Sequence, residues 1–249
     1  MDGPNVAAGT EQLSTGQLST RQRVMAAALG CFLASGYEQT TIAQIRAGSG
    51  VSNGALFHHF PTKEAIAEAI YVDGISSFQG GLREIVAQPP DSLRAAVGAV
   101  IGHQLAWTQE HPDQARFIYQ RGHLDFDTEG GAAVDAMNRE LAAEFRRWMA
   151  PLSDQIRPIS MLMVTAIVSG PSHALARRWL AGQLKGTLTG YADDLADAAC
   201  AGLSGAQVRR SDANGGHLAA SLGRVRLEIL DDDGAVTRRG EVTVQLAPP

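Results

Sequence analysis

The sequence predicts an all-α protein with three parts: a small three-helix unit that contains a helix-turn-helix, a larger helical body, and a short C-terminal β-hairpin. Three observations lead to this fold class. Apolar residues recur at helical spacing from Val24 to Cys200. A glycine-containing turn separates two short helical stretches within residues 41–60. Strict alternation of apolar and polar residues begins only near Val225, after the last helical stretch.

These patterns divide the chain into four segments. Residues 1–18 are rich in Gly, Ser, Thr and Gln and have no apolar period, so we expect a disordered arm. The helix-turn-helix unit spans residues 19–64, with its motif at 41–60, and the helical body spans residues 65–203. Residues 204–249 form an extension in which an Asp-rich turn separates two alternating stretches, which predicts the hairpin.

The short helices of the first unit carry start and stop signals. Thr41 and Gln44 have the spacing of a capping box, in which each side chain satisfies a free N–H at the start of the second helix. Ser52 is placed to cap the third helix, and Pro61 ends it. Within this helix, Leu56 is predicted to face back into the three-helix core. A capped helix on either side of a Gly-containing turn predicts a helix-turn-helix.

The apolar spacing in the body predicts a series of successive amphipathic helices. Asp91 is predicted to cap one of them, and a proline at 171 predicts a kink or an interruption within a long helix, 159–180. The last helix is predicted over 187–200. The clearest stripe, which we assign to the core with no cofactor implied, consists of Val134, Met137, Leu141, Phe145 and Trp148.

Composition and charge exclude several classes of protein. A chain of 249 residues with 45% hydrophobic and 19% charged residues is not a wholly disordered polymer. Its most apolar stretch, 161–168, is far shorter than the roughly 20 residues that cross a membrane. No secretory signal is visible, so we expect a cytoplasmic protein.

The net charge is −5, but residues 18–65 carry +2 and residues 66–200 carry −5. This asymmetry permits a DNA-binding head on an acidic body.

One stretch carries a specific resemblance. Residues 41–60 read TIAQIRAGSGVSNGALFHHF and are followed by PTKE. They resemble the DNA-binding region of the TetR family of transcriptional regulators. The resemblance is specific over residues 20–70, looser over 71–203, and absent from 204–249. Arg46 and Ser49 stand where the family usually has alanine, and Phe57 stands where tyrosine is commonest.

The resemblance and the residue chemistry together imply a DNA-binding surface. The first turn of a recognition helix must be small or polar to approach the major groove, and Asn53 is the best candidate to pair with an adenine edge. Lys63 lies in a first helical turn, where a cation gains nothing from the helix dipole, so a phosphate partner would account for it. The predicted DNA-binding residues are Thr41, Arg46, Ser52, Asn53, Gly54, Ala55, Phe57, His58, His59 and Lys63.

Structural interpretations of the same residues remain open. Asn53 and Lys63 are also compatible with plain surface positions, and Phe57 and Phe60 with core positions rather than base stacking. Two adjacent histidines on a helix point about 100° apart and cannot converge on one ion, so we predict no metal site. The two cysteines, Cys31 and Cys200, are predicted to be free thiols.

A ligand pocket is expected in the body, because polar and aromatic residues occur within its apolar helices, a mixture that ligand pockets need. Each residue alone is also compatible with a core or surface position. No cofactor is predicted. The candidate ligand-binding residues are His103, Trp107, Tyr119, Arg121, His123 and Phe126.

The function predicted from the sequence is a ligand-responsive regulator, a repressor, which binds palindromic operator DNA as a homodimer and is released by a small-molecule effector. No enzyme activity and no membrane partner are expected. Two alternatives remain: an enzyme whose C-terminal piece resembles the closing strands of a hotdog-fold thioesterase, and an architectural DNA-binding protein without an effector. Hydrolysis of an acyl-thioester would support the first, and the large acidic body argues against the second.

Overall fold

The computed structural model describes residues 18–120 and 128–204, together with the backbone of two strands. Both described ranges are helical, and the all-helical prediction is confirmed for them. The predicted N-terminal arm lies outside the described residues, apart from Leu18. The helices are α1 (Thr20–Ser35), α2 (Ile42–Ser49), α3 (Asn53–His59), α4 (Lys63–Val86), α5 (Leu93–Glu110), α6 (Pro112–Gln120), α7 (Glu129–Met149), α8 (Met161–Leu180) and α9 (Ala192–Ser204).

The predicted caps of the first unit are confirmed. The Gln44 backbone N–H donates to Thr41 Oγ1 at 3.3 Å, and the Thr41 N–H donates to Gln44 Oε1 at 2.7 Å, which completes the capping box. Ser52 Oγ accepts from the Ala55 N–H at 3.2 Å. The predicted cap of α5 is wrong by one residue: Ser92 Oγ, rather than Asp91, accepts the N–H of the first turn.

The first hydrophobic core lies among α1, α2, α3, the first half of α4, and α6. Phe32 on α1 stacks on Phe117 of α6, with their ring centroids 5.7 Å apart. This core therefore includes side chains from well beyond residue 64. Its buried members are Val24, Met25, Ala28, Phe32, Ile45, Leu56, Phe60, Ile66, Ala67, Ile70 and Phe117.

The second core lies among α4, α5, α7, α8 and α9. Between α4 and α7, Gln79 Nε2 donates to Asn138 Oδ1 at 2.8 Å. Pro171 lies inside α8, and the helix continues through it to Leu180. The stretch predicted as one last helix contains a 3₁₀ helix, Leu188–Tyr191, followed by α9. The buried centre of this core includes Val97, Ile101, Leu105, Trp148, Val168 and Leu203.

The two strands belong to a compact unit separate from the helices. β1 (Ser221–Leu230) pairs antiparallel with β2 (Val236–Leu246), with Val225 opposite Val242 and an irregularity of register between Ile229 and Leu230.

None of the helices in the described ranges combines the length and the apolar content needed to cross a membrane. Cys31 and Cys200 are free and partly buried, as expected for thiols that form no disulfide.

Candidate nucleic-acid interface and ligand cavity

The turn between α2 and α3 is held in a fixed geometry. Gly50 adopts a left-handed conformation with φ 64°, which a side chain would strain. On α1, Arg23 donates from Nη2 to the Ser49 carbonyl at 2.8 Å and to the Gly50 carbonyl at 3.2 Å. A cation at these carbonyls complements the negative end of the α2 dipole. The turn is therefore anchored to α1, and α3 leaves it at a fixed angle.

One face of α3 is buried and the opposite face is open. Leu56 is fully buried and Phe60 nearly so, which confirms the prediction for Leu56 and places Phe60 in the core. Phe57, by contrast, is 46% exposed. Because Leu56 and Phe60 bind α3 to the core through its inner face, the exposed residues form one outward surface: Ser52, Asn53, Gly54, Phe57, His58 and His59.

The outward surface presents small polar groups at the start of α3 and rings at its end. Gly54 has open space where a Cβ would be, so none of the described residues obstructs close approach of a partner to this turn. The rings of His58 and His59 lie edge to face with centroids 5.2 Å apart. On α2, Arg46 is exposed as well. We find no group of three metal-binding side chains among the described residues.

Lys63 has partners within the protein. Its Nζ donates to the Tyr37 carbonyl at 2.8 Å and lies 4.3 Å from the centre of the Tyr37 ring. The Tyr37 hydroxyl in turn donates to Glu64 Oε1 at 2.9 Å. The pKa of Glu64 is lowered, first by its own backbone N–H and then by this tyrosine. Lys63 thus holds the turn between α1 and α2 against the start of α4, and a phosphate is not needed to explain it.

We expect Lys63→Met to destabilise the protein by about 1–2 kcal/mol, because the variant keeps the aliphatic stem but loses a charged hydrogen bond and the contact with the Tyr37 ring. Urea unfolding of the full chain measures this loss. The other lysine of the sequence, Lys185, is exposed, and Lys185→Met is the matched control with an expected change within about 0.5 kcal/mol. Equal stability of the two variants would contradict the structural role of Lys63.

A cavity of about 310 Å³ lies in the body between α4, α5, α7 and α8. Most of its wall is hydrocarbon or aromatic, contributed by Phe78, Leu82, Val97, Leu141, Phe145, Trp148, Met161, Val164 and Val168 among others. Its polar lining residues are Gln104, Asn138, Thr165, Ser169 and His173. This volume is at the lower end of the roughly 300–1,000 Å³ typical of sites for small molecules.

Three of the predicted ligand-binding residues are described by the structure, and they lie beside this cavity rather than in its wall. His103 and Trp107 both contact Phe78, with ring centroids 5.2 Å and 5.5 Å away. Tyr119 contacts His173 at 5.7 Å. Phe78 and His173 line the cavity. The other three candidates, Arg121, His123 and Phe126, lie outside the described residues. The assignment of ligand-binding residues therefore stays a prediction.

Sequence reasoning missed most of the wall. Leu141, Phe145 and Trp148 belong to the stripe assigned to the core, and each also lines the cavity. Their helical spacing predicts a buried face, but it does not tell whether that face meets another side chain or a space.

Comparison with known proteins agrees with the geometry of α2 and α3. Residues 24–70 match the family model of bacterial regulatory proteins of the tetR family. The helices within this stretch are thus similar to those of the TetR family. The HTH-type transcriptional repressor KstR2 of Rhodococcus jostii is 32% identical to this chain over 88 residues. That match covers 35% of this chain and 43% of the repressor, so it spans less than half of the relative.

Solved structures resemble this chain over a longer range. A regulatory protein of the tetR family from Rhodococcus RHA1 has a TM-score of 0.62 at 21% identity. This match covers 75% of this chain and 98% of the Rhodococcus chain. The transcriptional regulator FadR of Bacillus subtilis, solved in complex with stearoyl-CoA, has a TM-score of 0.60 at 14% identity. This match covers 73% of this chain and 98% of the FadR chain. These likenesses show that the helical body has the fold of TetR-family regulators.

Proposed function

We propose that this protein is a ligand-responsive transcriptional repressor of the TetR family that binds palindromic operator DNA as a homodimer and is released by a small-molecule effector. The observation that carries the proposal is the outward surface of α3, which has small polar groups at its N-terminal turn and a core-bound opposite face. A helix presented in this way fits the major groove, with its first residues at the base edges. Such a repressor acts in the bacterial cytoplasm, where its operator is.

Asn53 is the residue proposed to read a base. It is exposed at the first position of α3, and its amide can pair bidentately with adenine. Thr41 and Ser52 cap helix starts, whose remaining N–H groups suit phosphate oxygens. Arg46, His58 and the partly exposed Phe57 would contact the backbone on either side.

We expect Asn53→Ala to weaken binding to the specific operator by about 1–3 kcal/mol while binding to random DNA barely changes, because the lost contact is to a base. Titration of both duplexes at one salt concentration measures the difference. Arg46→Ala is the comparison variant, since a residue that contacts phosphate should lose affinity for both duplexes alike. Equal losses on both duplexes for Asn53→Ala would contradict its role in base reading.

The exposed apolar side chains of α8 support a homodimer. Leu162 is 78% exposed and Met163 46% exposed. Large apolar side chains that lie together at a surface mark a contact site. We assign α8 and α9 to a four-helix bundle formed with the same helices of a second copy around a two-fold axis. Two copies would present two recognition helices to the two halves of a palindrome.

The path of α4 supports effector control. This helix begins at Lys63 beside the α1–α2 turn, and its Phe78 and Leu82 line the cavity. A molecule that enters the cavity therefore touches the same helix that holds the DNA-binding unit. We infer that the effector favours an arrangement in which the recognition helices no longer match the spacing of one helical turn, roughly 34 Å. FadR with stearoyl-CoA provides a precedent for a small molecule bound to this fold.

Selection of bound sequences from random duplex DNA tests the proposal in one experiment. We expect a palindrome whose half-sites are separated by about one helical turn. Such a result gives specificity, dimer symmetry and spacing together. Recovery of sequences without any shared motif would overturn the proposal and would favour an architectural DNA-binding protein.

A further inference from the structure

The cavity has one polar end and one apolar end. Gln104 and His173 both adjoin Tyr119, since the Gln104 side chain contacts the Tyr119 hydroxyl and the His173 ring contacts the Tyr119 ring. Asn138, which also lines the cavity, accepts a hydrogen bond from Gln79, the neighbour of Phe78. The other end of the cavity is formed by Trp148, Met149 and Met161 together with aliphatic side chains of α5. The lining therefore suits an elongated molecule with unlike ends.

No described lining residue has a permanently charged side chain. The titratable one, His173, has its pKa lowered by partial burial and then by the nearby Arg177 guanidinium. The lowered pKa favours the uncharged imidazole. An anionic group placed among these lining residues would lose its hydration, which is costly, and the Arg177 guanidinium that acts on His173 is not itself a lining residue. The described wall thus favours an uncharged ligand.

Three polar groups of the lining residues are already used within the protein. The Trp148 indole N–H donates to the Gln88 carbonyl at 2.6 Å, and the Thr165 hydroxyl donates to the Met161 carbonyl at 3.0 Å. Asn138 Oδ1 accepts from Gln79. These groups fix the wall and leave the indole ring and the aliphatic carbons to face the cavity.

Gln104 differs from these groups. Its side chain is 2% exposed, and its Nε2 amide has no acceptor in hydrogen-bond geometry within the described residues. A buried amide donor without an acceptor costs free energy, and a ligand oxygen would remove that cost. Gln104 Nε2 is therefore a buried donor of the wall that adjoins the Tyr119 hydroxyl without completing a hydrogen bond within the described residues.

We propose that the cavity binds an uncharged, elongated, largely hydrocarbon molecule that carries one hydrogen-bond acceptor. This acceptor is a hydroxyl or carbonyl oxygen, to which Gln104 Nε2 donates. The hydrocarbon part extends between Phe145, Val168 and Trp148 toward Met161. This inference rests on the proposed function, because it names the class of effector for the same cavity.

The test uses the full chain without DNA, titrated by calorimetry with 1-decanol and with decanoate. These probes share a ten-carbon chain and differ in charge. We expect one molecule of 1-decanol per chain and at least tenfold weaker binding of decanoate at pH 7. Absence of 1-decanol binding, or decanoate binding as tight as that of the alcohol, would overturn the proposal.

Two pairs of variants locate the ligand. Val100→Trp fills the cavity from α5 and should abolish binding of 1-decanol, whereas Ala99→Trp adds the same ring at the exposed neighbouring position and should leave binding unchanged. Gln104→Leu should weaken 1-decanol binding about tenfold and leave the free protein at least as stable, because the unpaired buried amide is gone. Gln104→Glu, which introduces an acceptor and a charge, should bind still more weakly. Unchanged binding in Val100→Trp or in Gln104→Leu would contradict the assigned site.

The 1-decanol titration and the DNA selection test different parts of the proposals, so that one can fail while the other succeeds. If 1-decanol binds as expected but leaves the selected palindrome bound, the ligand class holds and effector release is wrong. If the palindrome is found and 1-decanol does not bind, the DNA-binding part of the proposed function holds and the ligand class is wrong.

Discussion

Leu162→Arg is expected to convert the proposed dimer into a folded monomer and to lower affinity for a palindromic operator by about 10²–10⁴-fold. Leu162 is 78% exposed in the single chain, so the substitution should change the stability of the monomer by no more than about 0.5 kcal/mol. In the proposed bundle the same position would bury a charge without a partner, which opposes association. A monomer engages one half-site, and the advantage of binding two linked half-sites is lost.

Sedimentation measures the assembly state, and titration of operator DNA measures the affinity. Ala99→Arg provides the control, because it places the same charge at an exposed site of α5, away from α8. This control should stay dimeric and keep its operator affinity. A dimeric Leu162→Arg variant would show that the copies associate through another face.

Leu56→Ala is expected to cost about 2–5 kcal/mol of stability, the range for a buried leucine truncated within a packed core. Leu56 is fully buried and binds α3 to α1 and α4. Near physiological temperature the variant should also lose affinity for any DNA, because the recognition helix is no longer held at one angle.

The neighbouring residue gives a matched comparison. Phe57 is 46% exposed, so Phe57→Ala should change stability by less than about 0.5 kcal/mol and affect DNA binding alone. Denaturant unfolding with and without operator DNA separates the two effects. Similar losses of stability in the two variants would mean that α3 does not have one buried and one open face.

The sequence sufficed for features that depend on local chemistry. The capping box of Thr41 and Gln44, the cap at Ser52 and the buried Leu56 were predicted correctly, because a cap or an apolar spacing acts within a few residues. The cap of α5 was missed because Asp91 and Ser92 are equally good capping residues, and only the path of the chain decides between them.

The parts that sequence could not supply depend on distant contacts. Lys63 meets the carbonyl of Tyr37, 26 positions away, and no local pattern signals that pair. Gln104 lies within an apolar stretch of α5 and looks like any tolerated polar residue until its neighbours on α8 are known. The cavity is likewise a property of how four helices diverge, and periodicity reports only which faces are buried.

The stacked pair of Phe32 and Phe117 has a consequence for how the protein melts. Phe117 comes from α6, after the whole of α4 and α5, yet it completes the core under α1 together with Ile66 and Ile70. Residues 19–64 alone would leave that core open on one side. We therefore expect the helices up to Ser204 to lose their structure in a single cooperative heat-absorption peak. Any molecule that tightens the body would then raise the temperature at which the recognition helix itself unravels.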